Sequence, residues 1–195
     1  MKTFLEIGAC DFDNLDPLLD AGWRGIFVEP VPLYAESLRQ KVSKYPNAVV
    51  EQAAISNRDG VITMDTLEDI SLSGVNMWKR GISHISQLPG MSKYNYTSGS
   101  ITLNASTSLG SKKLMVDCMK LDNLIDKHNV ESIDLLQLDV EGHEIVVLTS
   151  YSWKIKPTVM KIEHKYVNDN DLVALLKSKG YHCFYEANDI YAILK

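Results

Sequence analysis

Apolar residues along the chain alternate between short continuous runs and stretches in which they recur every three or four positions. Continuous runs mark strands buried on both faces, and the wider spacing marks amphipathic helices. Their alternation predicts an α/β domain, a mainly parallel sheet with helices on both faces. Thr3 to Ile7 is the first buried strand and breaks at Gly8. Leu15, Leu18 and Leu19 then share one helical face behind the candidate N-caps Asp13 and Asn14. Gly22 closes that helix, and Gly25 to Val28 gives a second strand that ends on Glu29-Pro30.

Tyr34, Leu38 and Val42 recur at four-residue steps, which predicts a helix over 32–44. Ala48 to Gln52 reads as a third strand, and Val61 to Leu67 as another along the sheet edge. From Ser71 to Lys113 the periodicity lapses into Ser, Gly, Asn, Thr and Tyr, the texture of an inserted lid or substrate region, or else of a mobile loop. The rhythm resumes with a strand at Leu114 to Cys118, a helix at Leu121 to Lys127 and a strand at Asp134 to Leu138. A helix then starts near Gly142, and another strand spans Thr158 to Ile162. A last helix capped by Asp169 or Asn170 ends at Gly180. Tyr181 to Tyr185 and Ile190 to Leu194 form an antiparallel C-terminal hairpin.

Length and composition narrow the class. The 195 residues, 45% hydrophobic and 23% charged, predict a single domain over 1–195 with the insert at 71–113. A net charge of −5 lacks the basic face that nucleic acid requires, so no nucleic-acid partner is expected. Cys10, Cys118 and Cys183 are odd in number and widely spaced, which suits a reducing cytoplasm. With no signal-peptide pattern and no apolar run of about 18 residues, a soluble protein without a membrane partner is expected.

In an open α/β sheet, ligands lie beyond the carboxyl ends of the strands. Four such ends carry acids here: the Gly8 to Asp11 turn, Glu29, Asp139 with Glu141, and Glu163 with His164. Gly8 followed 21 residues later by Glu29 matches the spacing at which a nucleoside-binding unit places an acid for ribose hydroxyls. A nicotinamide dinucleotide would need three glycines in the first turn for its pyrophosphate, and only Gly8 is present. Glu6, Asp11 and Asp13 would repel a diphosphate and attract a cation. S-Adenosylmethionine, with a sulfonium, an ammonium and no phosphate, fits that loop better.

These residues also resemble the FkbM-type methyltransferases over nearly the full chain. Glu6-Ile7-Gly8-Ala9 is similar to the family's first cofactor loop, Phe27-Val28-Glu29-Pro30 to its second-strand signature, and Gln52-Ala53-Ala54-Ile55-Ser56 to its third. Leu121-Asp122 and the run from Ile133 to Glu144, with Asp139-Val140-Glu141-Gly142 at its centre and Leu148 behind, are the longest match. Lys161-Ile162-Glu163-His164 resembles the fifth-strand end. The resemblance implies a Rossmann-like class I methyltransferase fold with a seven-stranded sheet, S-adenosylmethionine as cofactor and a hydroxyl oxygen as acceptor. Phe12 stands where the family loop has a second glycine, Cys10 where it often has Asn, and Gln137 where Lys is frequent. The extension that many members carry before the first strand is lacking.

The expected cofactor residues are Gly8 and Ala9 through their backbone, Glu6 or Asp11 near the methionyl ammonium, Glu29 with Pro30 at the ribose, and Ala53 and Ala54 beside the adenine. Asp139, in both the cofactor and catalytic sets, is expected to orient the methionyl end or the acceptor hydroxyl. Glu141 is a further catalytic candidate, with capping of the following helix as its alternative role. Glu144 is expected to cap that helix and His143 to be exposed. His164 is the candidate general base, since imidazole titrates nearest neutrality. Asp139, Glu141, Glu163 and His164 would suit a hard metal if they converge, but the expectation is no metal. The predicted reaction is O-methylation of a small-molecule or glycan acceptor. A catalytically degenerate nucleoside-binding or protein-interaction module, suggested by Phe12, is the alternative.

Overall fold

The computed structural model describes residues 1–11, 15–67, 83–85 and 111–195. Along them run β1 (Thr3–Ile7), α1 (Asp16–Asp20), β2 (Arg24–Val28), α2 (Pro32–Val42), β3 (Ala48–Glu51), β4 (Ala54–Ile55), β5 (Gly60–Leu67), β6 (His84–Ile85), β7 (Ser111–Met119), α3 (Leu121–Lys127), β8 (Leu135–Leu138), α4 (Glu144–Ser150), β9 (Val159–Glu163), α5 (Asp169–Ser178), β10 (Tyr181–Glu186) and β11 (Asp189–Leu194). Phe12, Asp13 and Asn14 lie outside the described residues, as does most of the 71–113 insert. Of that insert, 83–85 includes β6, and 111–113 already belongs to β7.

Seven strands form one sheet in the order β3-β2-β1-β8-β9-β11-β10. Strands from β3 through β9 are parallel, and β11 runs antiparallel between β9 and β10. This is the expected seven-stranded sheet with its C-terminal hairpin, and the hairpin's second strand makes the junction. Successive residues of a strand face opposite sides. Leu5, Ile7, Ile26, Val28, Leu136 and Leu138 therefore pack one way, against Leu124 of α3, Val147 and Leu148 of α4 and Leu172 of α5. Phe4 and Phe27 face the other way, edge to face at 5.3 Å, under Leu19 of α1 and Leu38 of α2. No helix among the described residues is long and apolar enough to cross a membrane.

Three expectations are corrected. The 61–67 strand is not an edge of the main sheet, because β5 pairs along its whole length with β7 in a separate four-stranded sheet ordered β4-β7-β5-β6. Its alternation explains this: Ile62 and Met64 bury against Val116 and Ile85, while Val61 is 48% exposed, the pattern of a strand covered on one face. The N-cap position of α1 is Leu15, with no side-chain cap, and Pro17 pre-sets the first turn. The cap of α5 is Asn168, whose side chain accepts from the backbone N–H groups of Asn170 and Asp171.

Gly25 sets how closely α1 lies on the sheet. A Cβ there would stand 2.5 Å from the Phe4 ring and 2.8 Å from Leu19 Cδ2, in a layer with no slack. Gly25→Ala is expected to lower the unfolding free energy by about 1–3 kcal/mol in urea denaturation, the usual cost of overpacking. Adding Phe4→Leu should restore part of that loss, because the smaller side chain returns the space. A double variant no more stable than Gly25→Ala would show that the ring is not the obstacle.

Candidate active site

The chain leaves β1 for β2 and β3 on one side and continues in β8 and β9 on the other, so a crevice opens beyond β1 where the sheet order reverses. Gly8 makes that crevice possible. Its φ is +83°, and a Cβ would sit 1.7 Å from the backbone carbonyl oxygen of Asp139, so only a bare backbone fits between the ends of β1 and β8. The N–H groups of Gly8 and Ala9 both donate to the Val28 carbonyl, at 2.9 and 3.1 Å. The loop is thus held by β2, and its first two donors are already spent within the protein.

A cavity fills the crevice and is lined by Glu6, Gly8 and Ala9 from β1 and its loop, by Glu29 and Pro30 beyond β2, by Ala53 and Ala54, and by Asp139 and Glu141 beyond β8. Of the sequence-predicted site residues, Asp11 and His164 do not line it. Asp11 is buried, its carboxylate accepting from Ser37 Oγ of α2 at 3.1 Å and its carbonyl from Lys41 Nζ, so it ties the loop to α2. His164 lies just past β9, where its Nδ1 meets Asp169 Oδ1 at 2.8 Å. Its Nε2 is buried without a partner, and its ring stands edge-on to Tyr185.

Glu29 is buried, yet both its oxygens are engaged. Oε2 accepts from Cys10 N–H and Oε1 from Val31 N–H, each at 2.7 Å. Burial raises its pKa to about 7 against the opposing pull of these two bonds. The Cys10 bond holds the residue after Ala9 in a left-handed turn, φ 51°. Glu6 is less well served: Gln137 Nε2 donates to Oε1 at 3.0 Å, while Oε2 is buried without a partner. Burial lifts its pKa to about 8, with Lys161 opposing and Asp139 adding to the rise.

Beyond β8 the acids accumulate. Glu141, at φ 52°, turns into the cavity, and burial with the charge of Asp139 raises it to about 8. Asp139 and Glu163 are both pushed up by burial and sit close enough to share a hydrogen bond. Glu144 is buried at the start of α4. Its Oε1 accepts from the N–H groups of Val140 and Gly142, so it braces the turn that carries Glu141. His143, expected at the surface, is 1% exposed: its Nε2 meets Ser56 Oγ at 3.0 Å, and burial lowers its pKa to about 4. It pins the acidic turn to the segment after β4 as a neutral ring.

Gln137, Met64, Ser83 and Ile85 also line the cavity; from sequence Gln137 stood out only as a departure from the family pattern, and the other three not at all. The signal for Gln137 was its position two residues before Asp139 on the same strand, facing as Glu6 does. Met64 and Ile85 come from the second sheet, with Ser83 just before β6, and that sheet's pairing has no local signature.

Sheet order, final antiparallel pair and a second-strand acid at the switch point define a Rossmann-like α/β domain. Residues 6–183 match the family described as the Methyltransferase FkbM domain, and the chain belongs to that family. An FkbM methyltransferase from Methylobacillus flagellatus KT aligns over 98% of this chain with 13% identity and a TM-score of 0.56, a likeness of fold. The chain spans 43% of the length of that structure. Fibrillarin from Methanococcus jannaschii, a pre-rRNA processing protein, aligns over 99% of this chain and 66% of its own, with 10% identity and a TM-score of 0.48. A precorrin-6y C5,15-methyltransferase from Geobacter metallireducens GS-15 aligns over 98% and 78%, with 11% identity and a TM-score of 0.44. No curated protein matches the chain.

Buried glutamates with raised pKa values make stability depend on pH. Glu6 and Glu29 hold their protons in the folded state to about 8 and about 7, whereas the unfolded chain releases them near 4.5. Between those limits the unfolded state binds fewer protons, so stability falls as pH rises and levels off above the folded values. The Tm of the ligand-free protein should therefore drop between pH 4.5 and about 8, and Glu6→Gln should flatten that drop. Superimposable Tm profiles for the two proteins would show that Glu6 does not titrate in this window.

Proposed function

We propose that this chain is an S-adenosylmethionine-dependent O-methyltransferase acting on a hydroxyl of a small molecule or glycan. The carrying observation is the cavity's polarity. Glu29, an acid satisfied by backbone donors, lines the cavity beyond β2, whereas Glu6, with one oxygen unpartnered, lines it from β1, and Asp139 and Glu141 line it beyond β8. Each Glu29 oxygen retains a lone pair beyond its backbone bond, which suits a pair of ribose hydroxyls, with Pro30 alongside. Ala53 and Ala54 leave space for a flat adenine. The orphaned Oε2 of Glu6 suits the methionyl ammonium. A pyrophosphate fits badly, because the Gly8 and Ala9 N–H groups are taken by Val28 and the facing acids would repel it. For these two residues the expected backbone contact is thereby limited to their carbonyls and their close fit.

When bound, S-adenosylmethionine supplies a methyl group on a sulfonium that leaves as a neutral thioether. Asp139 and Glu141 orient the acceptor hydroxyl in line with that carbon, a task of alignment above all. His164, just outside the cavity past β9, is the base we assign to the hydroxyl proton: Asp169 accepts from Nδ1–H and fixes the tautomer that leaves a lone pair on Nε2, and Nε2, buried in the ligand-free protein, must open toward the cavity when the acceptor binds. A cytoplasmic setting is supported by Cys10, Cys118 and Cys183, which form no disulfide.

Calorimetric titration tests the cofactor. S-Adenosylhomocysteine is expected to bind, NAD is not, and Glu29→Ala should weaken homocysteine-product binding by roughly 1–3 kcal/mol, the cost of losing charged hydrogen bonds. Tight NAD binding with no response to the sulfur nucleosides would overturn the assignment.

Turnover tests the proton path. Across a panel of hydroxylated acceptors, His164→Gln should lower kcat by roughly 100-fold or more, as removal of a general base does, without weakening cofactor binding. Asp169→Asn should shift the pH profile of kcat. Undiminished turnover in His164→Gln would remove it from the mechanism.

A further inference from the structure

Beyond the cofactor cavity's nucleoside end, we propose that Asp139, Glu141 and Glu163 hold a hard divalent cation. Their ligand atoms lie within 4.8 Å of one another, although the residues come from three places: the end of β8, the turn after it and the end of β9. Oxygens around a calcium ion stand 2.3–2.6 Å from it, so opposite ligands are separated by about 5 Å and adjacent ones by less, and magnesium or manganese needs a contraction of only about half an ångström. The observed spacing falls inside that span. An all-carboxylate donor set selects these ions over zinc or copper.

A second observation points to a ligand at the same place. Glu144 is 1% exposed and braces the turn bearing Glu141 through Oε1, while its Oε2 has no partner; its charge acts on Asp139, Glu141 and Glu163 alike. Glu163 Oε2 is also buried without a partner. Among the described residues, no lysine or arginine pairs with any of the three ligands. Lys161 goes to Asp189 at 3.3 Å, and Lys165, whose charge acts on all three ligands from a distance, lies over the Tyr166 ring at 4.7 Å. Four acids concentrated without a paired cation are costly to bury unless protons or a metal neutralise them.

Two of the ligands, Asp139 and Glu141, line the cavity, so an ion there faces whatever occupies its acidic end. Resting on the methyltransferase reading, the ion would anchor an oxygen-rich acceptor and lower the pKa of a coordinated hydroxyl, and Asp139 would act on the acceptor through it. Two positive charges among four carboxylates leave the surroundings negative, so a sulfonium nearby is still tolerated.

Manganese binding to the full chain, read from the loss of the free-ion electron paramagnetic resonance signal, tests the site without a cofactor or acceptor. We expect one Mn2+ per chain, displaced by Mg2+ or Ca2+ and weakened more than about tenfold in Glu163→Gln and in Glu141→Gln, because each removes a charged ligand. In addition, Ca2+ should raise the Tm of the unaltered protein, a reading that needs no variant to fold. Absence of both Mn2+ binding and a Ca2+-dependent Tm shift, or Mn2+ binding equal in both folded variants, would overturn the site. S-Adenosylhomocysteine titration separates the two proposals: its failure beside normal Mn2+ binding removes only the cofactor, and the reverse removes only the cation.

Discussion

The contact between Gly8 and the backbone carbonyl of Asp139 holds the site together. Two parallel strands that diverge at their carboxyl ends would ordinarily leave a gap wide enough for side chains, but here the loop leaving β1 passes directly against the backbone leaving β8. A left-handed glycine permits that approach and reverses the chain toward β2, where the Gly8 and Ala9 N–H groups find the Val28 carbonyl. Three strand ends are thereby fixed relative to one another by backbone alone. Side chains added to this frame need no adjustment of their own to face a common cavity, and this is how Glu6, Glu29 and Asp139 meet there.

On that frame the acids divide into two kinds. Glu29 is a structural device as well as a candidate ligand, because its two backbone hydrogen bonds tie Cys10 and Val31 into one corner and offset part of the cost of burying it. Asp11 does similar work toward α2. Glu6, Glu144 and Glu163 each keep an oxygen that nothing in the described chain satisfies. Residues left in that condition are stable only if they hold protons or meet a positively charged partner; Glu6 lines the cavity itself, while Glu144 and Glu163 stand among the acids beyond β8 and β9. The fold thus carries an electrostatic cost where a cationic ligand would relieve it, a feature of functional sites more than of cores.

What the sequence disclosed follows from the range over which each feature is determined. The runs of β1, β2, β8 and β9 are local, mostly apolar and bounded by turn residues, so their positions and the acids that end them could be read directly. Asp139, Glu141 and Glu144 were legible as the acids of the turn that follows β8. His143 was not: its surroundings depend on Ser56, 87 residues away, and a polar residue beside a turn gives no sign of such a partner. The pairing of β5 with β7 spans the insert and escaped notice, and with it the contribution of Met64 and Ile85 to the cavity wall. Asp169 looked like a helix cap by composition, yet Asn168 holds the cap and leaves the Asp169 carboxylate to His164.

That second sheet changes how the cavity must be understood. Strand ends of the main sheet supply its polar, acidic side, while Met64 and Ile85, backed by Ile62 and Val116, supply an apolar side from β5 and β6. A nucleoside needs both, since its base gains from leaving water and its hydroxyls and charges require partners. The apolar side stands on β5, before the inserted segment, and on β6, within it, whereas the acidic side stands at the strand ends of the main sheet. A change in β5 or β6 therefore acts on the apolar wall without touching the backbone contact at Gly8.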